Sequence, residues 1–155
     1  MSAHTDNSIV IEAPVDVVWE EANRLEQWPV LFAGEYERVE VLGTEADRVT
    51  FRITTKPQEN GQSYSWVSER VLDREHHRVV ARRLETGPFL YMHIYHEFEE
   101  CPEGTRVRWV QDFEMRPQAP FTDSQMASRI NAGSEGNLRR HKQVIEERWK
   151  GTTNG

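Results

Sequence analysis

One alternating stretch of the chain carries side chains that could do chemistry. Residues 64–70 follow an Asn-Gly turn signal, and strand alternation puts four side chains on one face: Tyr64, Trp66, Ser68 and Arg70. If this face points outward, it is a solvated surface with two exposed rings. If it points inward, it buries a permanent cation, which needs a partner or a ligand.

Other reactive side chains fit catalysis or metal binding less well. His93 and His96 are three residues apart on a predicted strand, so they point to opposite faces and cannot share a metal. His76 and His77 lie in a predicted turn, where we expect them to be solvated. Cys101 also lies in a turn, and nothing in the sequence pairs it with a base, so we do not expect a nucleophile there.

Composition restricts the class of protein. The 155 residues fit a single domain over 1–155 with its own core. The net charge of −7 disfavours non-specific binding to nucleic acid, and no apolar run approaches the roughly 20 residues that span a bilayer. A polar start without a signal peptide and a single cysteine fit a reducing, cytoplasmic location.

The order of elements predicts an α+β fold. A short strand over 8–12 precedes a helix that begins at Ala13-Pro14, and a second short helix is broken at Trp28-Pro29. Six strands separated by turns follow between positions 38 and 115. A long helix then runs from Thr122 or Asp123 to Trp149, and residues 151–155 are predicted to be frayed.

Such a series predicts a curved, seven-stranded antiparallel sheet whose concave face is covered by the long helix. The inner stripe of that helix is predicted to be Met126, Ile130, Gly133, Asn137, His141, Ile145 and Trp149. Gly133 and Gly136 indicate either close packing or room for a ligand. Sheet and helix would enclose a cleft with its mouth near Trp28, and Arg70 would face into it because the opposite face carries Glu69.

Three motifs carry a family resemblance. They are Trp66-Val67-Ser68-x-Arg70, Arg83-Leu84-Glu85-Thr86-Gly87-Pro88-Phe89-x-Tyr91-Met92 and Arg108-Trp109-Val110-Gln111-x-Phe113-x-Met115-x-Pro117-x-Ala119-Pro120-Phe121. With its Ala-Pro and Trp-Pro opening, the chain resembles helix-grip domains of the START or Bet v 1-like type. More narrowly, it resembles the monodomain aromatase/cyclases of bacterial type II polyketide synthases, in particular the tetracenomycin and spore-pigment members.

The resemblance implies a specific activity and specific partners. Such proteins bind a linear poly-β-ketone that an acyl carrier protein presents through phosphopantetheine, alongside other components of the type II polyketide synthase. They direct the first aldol ring closure, between carbons nine and fourteen in the most similar members, and promote dehydration to an aromatic ring. The resemblance implies no metal and no redox cofactor.

The resemblance also implies roles for individual residues. Arg70, Tyr36 and Ser68 are the candidate catalytic residues, with Arg70 stabilising an enolate and Tyr36 serving as acid or base if Arg70 lowers its pKa. The candidate substrate-binding residues are Trp28, Phe32, Trp66, Arg83, His96, Trp109, Gln111 and Asn137. Two departures stand out: the segment before Tyr36 is one residue longer, and His96 replaces an expected aromatic residue.

Simpler interpretations remain open at this stage. A strand arginine usually pairs with a surface carboxylate, as Arg83 could with Glu85. The basic cluster Arg139, Arg140 and Lys142 is either a solvated helix face or a docking surface for an acidic carrier protein. The chain itself could be a non-catalytic hydrophobic-ligand carrier, a polyketide-folding chaperone, or an interaction module with a filled core.

Overall fold

A single antiparallel sheet of seven strands organises the protein. The computed structural model describes residues 2–154. The strands are β1 (Ala3–Ile11), β2 (Tyr36–Glu45), β3 (Arg48–Thr55), β4 (Ser65–Asp73), β5 (Arg78–Arg83), β6 (Phe89–Cys101) and β7 (Gly104–Met115). Their order in the sheet is β1-β7-β6-β5-β4-β3-β2, so strands β2 to β7 form a meander and β1 pairs with the last of them.

Along the chain, two short helices follow the first strand, and one long helix follows the last. α1 (Val15–Ala22) is followed by a 3₁₀ turn (Leu25–Gln27) and by α2 (Trp28–Leu31), and the final helix is α3 (Asp123–Asn154). α3 packs mainly on β1, with further contacts to β7, α1 and α2. The predicted fold is therefore confirmed: the sheet curves around a long C-terminal helix in the helix-grip manner of START and Bet v 1-like domains. None of the helices in residues 2–154 is both long and apolar enough to cross a bilayer.

Strand alternation explains where the core lies. Every second residue of the central strands faces the concave side, and most of these residues are buried, whereas their neighbours are mostly exposed. The largest fully buried side chains of the core are Ile11, Leu31, Phe51, Phe113, Leu138 and Ile145. Most of the concave face shares one hydrophobic core with α1, α2 and the C-terminal half of α3, whereas Phe113 belongs to a second cluster with Phe89, Met92 and Met115.

One glycine joins the end of the sheet to the first helix. Gly104 has a φ of +145°, and a Cβ there would lie 2.3 Å from the backbone oxygen of Ile11. Only glycine allows this approach, which brings the turn between β6 and β7 against residues 11–13, where β1 ends and the connection to α1 begins.

Several element boundaries differ from the sequence-based expectation. β1 begins at Ala3 rather than at residue 8, because its whole length pairs with β7. Residues 151–154, predicted to be frayed, continue α3, and Gly155 lies outside the described residues. Gly133 is exposed and the buried position is Ser134, so the predicted stripe was wrong there. A Cβ on Gly133 or Gly136 would meet nothing within 4 Å, which rules out close helix–sheet packing as their reason.

Candidate active site

Arg70 is a buried cation with a neutral partner. It lies on β4, is 3 % exposed, and donates from Nη2 to Oδ1 of Asn23 over 2.7 Å. Its guanidinium also lies 4.9 Å from the ring centroid of Trp28. Within residues 2–154, no carboxylate forms an ion pair with it. Burial lowers the pKa of Arg70 to about 10, so the side chain remains charged at neutral pH.

Several polar atoms on this buried face have no hydrogen-bond partner among the residues that the structure describes. Among residues 2–154, Thr5 Oγ1 is the one fully enclosed side-chain oxygen or nitrogen without a hydrogen-bond partner. The buried side chains of Ser68 and His96, and Nε and Nη1 of Arg70, also lack protein partners, yet none of them is fully enclosed. Each of these atoms therefore touches space that a water molecule can reach, and we call the part of the concave face around them the interior cleft.

Aromatic rings form the walls of the interior cleft. Trp109 lies between two nearly parallel rings, at 5.1 Å from His96 and 5.6 Å from Phe32, each with an interplanar angle of 16°. Phe32 in turn stacks on Tyr36 at 4.6 Å, and Tyr36 lies 6.1 Å from Trp28. Flat, rigid walls of this kind suit a planar ligand.

Tyr36 belongs to the site, but not as a base. Burial, followed by the charge of Glu35, raises its pKa well above the usual range, although Arg83 and Arg70 oppose the shift. Arg70 does act to lower this pKa, but desolvation outweighs the attraction of both cations, so the condition for a basic Tyr36 is not met. Tyr36 therefore keeps its proton at neutral pH and can donate it, but it cannot act as a base.

Two buried histidines flank the same indole. His96 stacks on Trp109, and His141 of α3 contacts it edge-on at 5.1 Å. Burial is the main cause that lowers both pKa values, that of His141 to about 4, and Arg70 lowers both further. Nδ1 of His141 donates to the backbone oxygen of Asn137 over 2.7 Å, which leaves Nε2 as an acceptor.

Arg83 is held by rings rather than by a carboxylate. Its guanidinium lies 4.4 Å from the ring centroid of Trp66 and 5.1 Å from that of Phe89. The expected pair with Glu85 does not form through the carboxylate: Arg83 donates to the backbone oxygen of Glu85, and the carboxylate contacts Arg52 at 3.2 Å. Burial lowers the pKa of Arg83 to about 10.

The remaining candidates divide into interior and peripheral positions. Trp28 is buried and donates Nε1 to the backbone oxygen of Ala22, so it supports Arg70 rather than forming a mouth. Gln111 is half-buried between β1 and β6, without a side-chain hydrogen bond. Tyr64 lies outside β4 and is 46 % exposed, so its predicted place on the inner face was wrong.

Sequence reasoning missed two polar side chains of the site and the role of a third. Asn23, just after α1, supplies the acceptor for Arg70, and Glu35 accepts a hydrogen bond from Asn137 over 2.8 Å. Burial raises the pKa of Glu35. His141 was predicted to lie inward but was not chosen as a site residue. The one available signal was that His141 lies four residues after Asn137, a candidate site residue, and therefore on the same face of α3.

Other expectations about reactive groups have mixed outcomes. His96 is buried and His93 is exposed, as expected for opposite faces of a strand. His76 is exposed, whereas His77 packs against Trp19 at 5.3 Å and was wrongly expected to be solvated.

The basic cluster on α3 is tied down by neighbouring groups. Lys142 is bound to Glu146 and the backbone of Val10, and Arg140 donates to the backbone of Val30. These contacts weaken the case for a free docking surface.

Comparison with known proteins identifies the family. The family model described as polyketide cyclase/dehydrase and lipid transport matches residues 2–146. The chain belongs to this family. A member from Streptomyces cyaneus, named "Putative polyketide cyclase", is 54 % identical over 147 residues, which cover 95 % of this chain and 96 % of that protein.

Solved structures related to this polyketide cyclase/dehydrase family member share its fold. The Zhui aromatase/cyclase from a Streptomyces species has a TM-score of 0.78 at 20 % identity, covering 97 % of this chain and 94 % of that one. The di-domain aromatase/cyclase StfQ of the steffimycin pathway has a TM-score of 0.80 at 18 % identity, covering 96 % of this chain and 52 % of that one. At these identities the similarity establishes the helix-grip fold.

Proposed function

We propose that the protein is a polyketide aromatase/cyclase. Its substrate would be a linear poly-β-ketone on an acyl carrier protein, and its reaction the first aldol ring closure, between carbons nine and fourteen, followed by dehydration. The observation that carries the proposal is Arg70, a charged side chain that is 3 % exposed and has no carboxylate partner among residues 2–154. A buried cation in a water-accessible cleft is suited to a ligand that develops negative charge.

The proposed chemistry follows from the groups that border the interior cleft. Removing a proton from the carbon between two ketones makes an enolate, whose oxygen Arg70 stabilises as a fixed donor. The enolate carbon then attacks a distant ketone, and the new alkoxide takes a proton from the Tyr36 hydroxyl, which its raised pKa keeps protonated. Ser68, buried beside Arg70 on β4, holds a ketone oxygen.

The aromatic walls have the task of folding the chain. The rings of Phe32, Trp109 and His96 stack on one another, and this rigid stack is the surface against which a flexible poly-β-ketone is held in one conformation. Ring closure and loss of water exchange no electrons, so the proposal calls for neither a redox cofactor nor a metal. The specific ring and the carrier-bound substrate rest on the resemblance of the sequence motifs, whereas the names of the relatives support a cyclase in general.

Reconstitution with a type II polyketide synthase tests the proposal. We expect the wild-type protein to convert a mixture of spontaneous shunt products into one ring pattern, and Arg70→Ala to lose this effect by about 100-fold or more. Arg82→Ala is the matched control, because Arg82 is exposed and paired with Glu69.

Binding must be measured alongside the products, for example by quenching of tryptophan fluorescence with a planar aromatic ligand. If Arg70→Ala binds ligand and still gives the wild-type ring pattern, the protein is a carrier or a folding chaperone rather than a catalyst. If the wild-type protein does not change the shunt pattern at all, the proposed function fails.

A further inference from the structure

The proposed reaction needs a group that accepts a proton, and the residues assigned so far do not supply one. Arg70 remains charged, with a pKa of about 10, and Tyr36 remains protonated. The hydroxyl of Ser68 has no histidine or carboxylate hydrogen-bonded to it that would activate it. The base must therefore be another side chain that borders the interior cleft.

His96 has the required environment. It is 9 % exposed, one face of its ring is stacked on Trp109, and neither ring nitrogen has a hydrogen-bond partner within the described protein. Neither nitrogen is fully enclosed, so each touches space that a water molecule can reach. A buried imidazole is normally fixed by a hydrogen bond, and this one is left free.

The groups around His96 keep it in the form that accepts a proton. Burial is the main cause that lowers the pKa of His96, and the charges of Arg70 on β4 and of His141, which contacts the same indole, lower it further. Its neighbours in the sheet are Val79 of β5 and Trp109 of β7, neither of which titrates. The imidazole is therefore neutral throughout the physiological pH range.

Two other bases are less well placed. Nε2 of His141 is an available acceptor, but the ring is clamped edge-on between Phe32 and Trp109 and fixed through Nδ1. Glu35 has an oxygen engaged by Asn137, and its charge, beside the Tyr36 hydroxyl, raises the pKa of that donor. His141 thus serves to position the wall, and Glu35 is the alternative that an experiment must test.

We propose that His96 is the catalytic base that removes the proton from the poly-β-ketone, an inference that rests on the proposed function. The imidazole takes a proton from the methylene carbon, and the electrons of the broken C–H bond form the enolate held by Arg70. These electrons then form the new carbon–carbon bond, and the ketone oxygen under attack takes the proton of Tyr36. The imidazolium proton returns to the Tyr36 phenolate, which restores both residues.

The positive charge of Arg70 makes the strength of this base depend on the substrate. In the free protein the guanidinium disfavours a second positive charge on His96. When the enolate forms against Arg70, its negative charge offsets that of the guanidinium, and the imidazolium becomes easier to form. Arg70 and His96 therefore act together in the transition state, where their interaction differs from that in the ground state.

The decisive experiment compares His96→Gln with His93→Gln in the reconstituted polyketide synthase, with circular dichroism to verify folding. Gln keeps a polar side chain of similar size but cannot act as a base. We expect His96→Gln to lower the ratio of the specific ring product to shunt products by about 100-fold or more while ligand binding stays intact. His93 is exposed on the opposite face of the same strand, so His93→Gln should keep the wild-type ratio.

A second variant gives a readout that a structural role would not move. In His96→Ala, added imidazole should restore product formation in proportion to its concentration, and the same imidazole should leave the wild-type protein unchanged. This test also decides the matter if His96→Gln does not fold.

Three outcomes overturn the assignment. The first is a folded His96→Gln whose ratio of ring product to shunt products lies within about threefold of wild type. The others are no response of His96→Ala to imidazole, and a ratio that falls in Glu35→Gln but not in His96→Gln. These results leave the cyclase proposal standing, because that proposal fails only if the wild-type protein itself gives no specific ring.

Discussion

Arg82 and Arg70 lie on adjacent strands and face opposite sides of the sheet. Arg82, with an exposed side chain on the convex face, donates to Glu69 over 2.8 Å. Arg70, on the concave face, donates to a neutral amide over 2.7 Å. The convex face carries further pairs of this kind, between Arg108 and Asp6 and between Arg52 and Glu85.

The two arginines differ in what their charge costs in stability. An exposed ion pair changes stability little, because water screens it and already solvates both partners. A buried cation without a carboxylate has lost its hydration and regained only part of it. Its presence therefore indicates a function that outweighs the loss of stability, and the following four predictions test this contrast.

The largest expected effect is the acid sensitivity of the concave face. His141 has a pKa of about 4 in the folded protein, below its usual value near 6.5, so its neutral form stabilises the fold. This contribution is complete above pH 6.5 and disappears as the pH falls to 4, an expected loss of about 3 kcal/mol. Urea unfolding at pH 7, 5 and 4 measures it.

His141→Gln should lose less stability than wild type across this pH window, whereas His93→Gln on the exposed face should behave like wild type. His96 contributes in the same direction, so each single variant removes only part of the dependence. Equal losses in wild type and His141→Gln would contradict the prediction.

The next effect concerns Arg70 itself. Replacing it with Met should raise the free energy of unfolding by about 2 kcal/mol, because an apolar side chain fills the site without the desolvation cost of a charge. The same change should abolish the specific ring product. Chemical unfolding is the measurement, and Arg82→Met is its control. A loss of stability in Arg70→Met would show that the cation is structural.

A smaller gain is expected at Thr5, whose hydroxyl is fully enclosed without a partner. Thr5→Val removes this unsatisfied group at nearly constant volume and should raise the free energy of unfolding by about 1 kcal/mol. Thr105 is the matched control, because its hydroxyl donates to the backbone oxygen of Ala13 over 2.8 Å. Thr105→Val should destabilise the protein, and gains at both positions would refute the argument.

The smallest expected change in stability comes from an ion pair on the convex face. Arg82→Ala breaks an exposed ion pair and should change the free energy of unfolding by less than about 1 kcal/mol. Raising the salt concentration should reduce even this difference. Thermal unfolding at low and high salt provides the measurement, and a large, salt-independent loss would mean that the two faces are not as different as their contacts indicate.

Much of the fold could be predicted because its signals are local. The switch from a helical to a two-residue period, the Pro at the start of α1 and the turn signals located every strand to within a few residues, apart from the start of β1. The inward direction of Arg70 also followed, since alternation along β4 leaves only two choices and Glu69 takes the other face. The contribution of the resemblance was to connect these residues to a reaction.

Contacts between distant segments could not be predicted in this way. Asn23 reaches Arg70 across 47 positions of the chain, and Asn137 reaches Glu35 across 102. The pairing of Glu85 with Arg52 instead of Arg83 depends on which strand edge each side chain meets. Such contacts are decided by packing, which no short window of sequence contains.

The sequence by itself determined the antiparallel order of elements, the long final helix and the presence of an arginine on an inner strand face, because period and turn chemistry act between near neighbours. Only the tertiary structure decided the protonation of the site. Tyr36, His96 and His141 have ordinary side chains whose pKa values depend on how much water the fold removes and which charges it brings near. Desolvation belongs to the assembled protein, so the chemistry of these residues appears only when sheet and helix close around them.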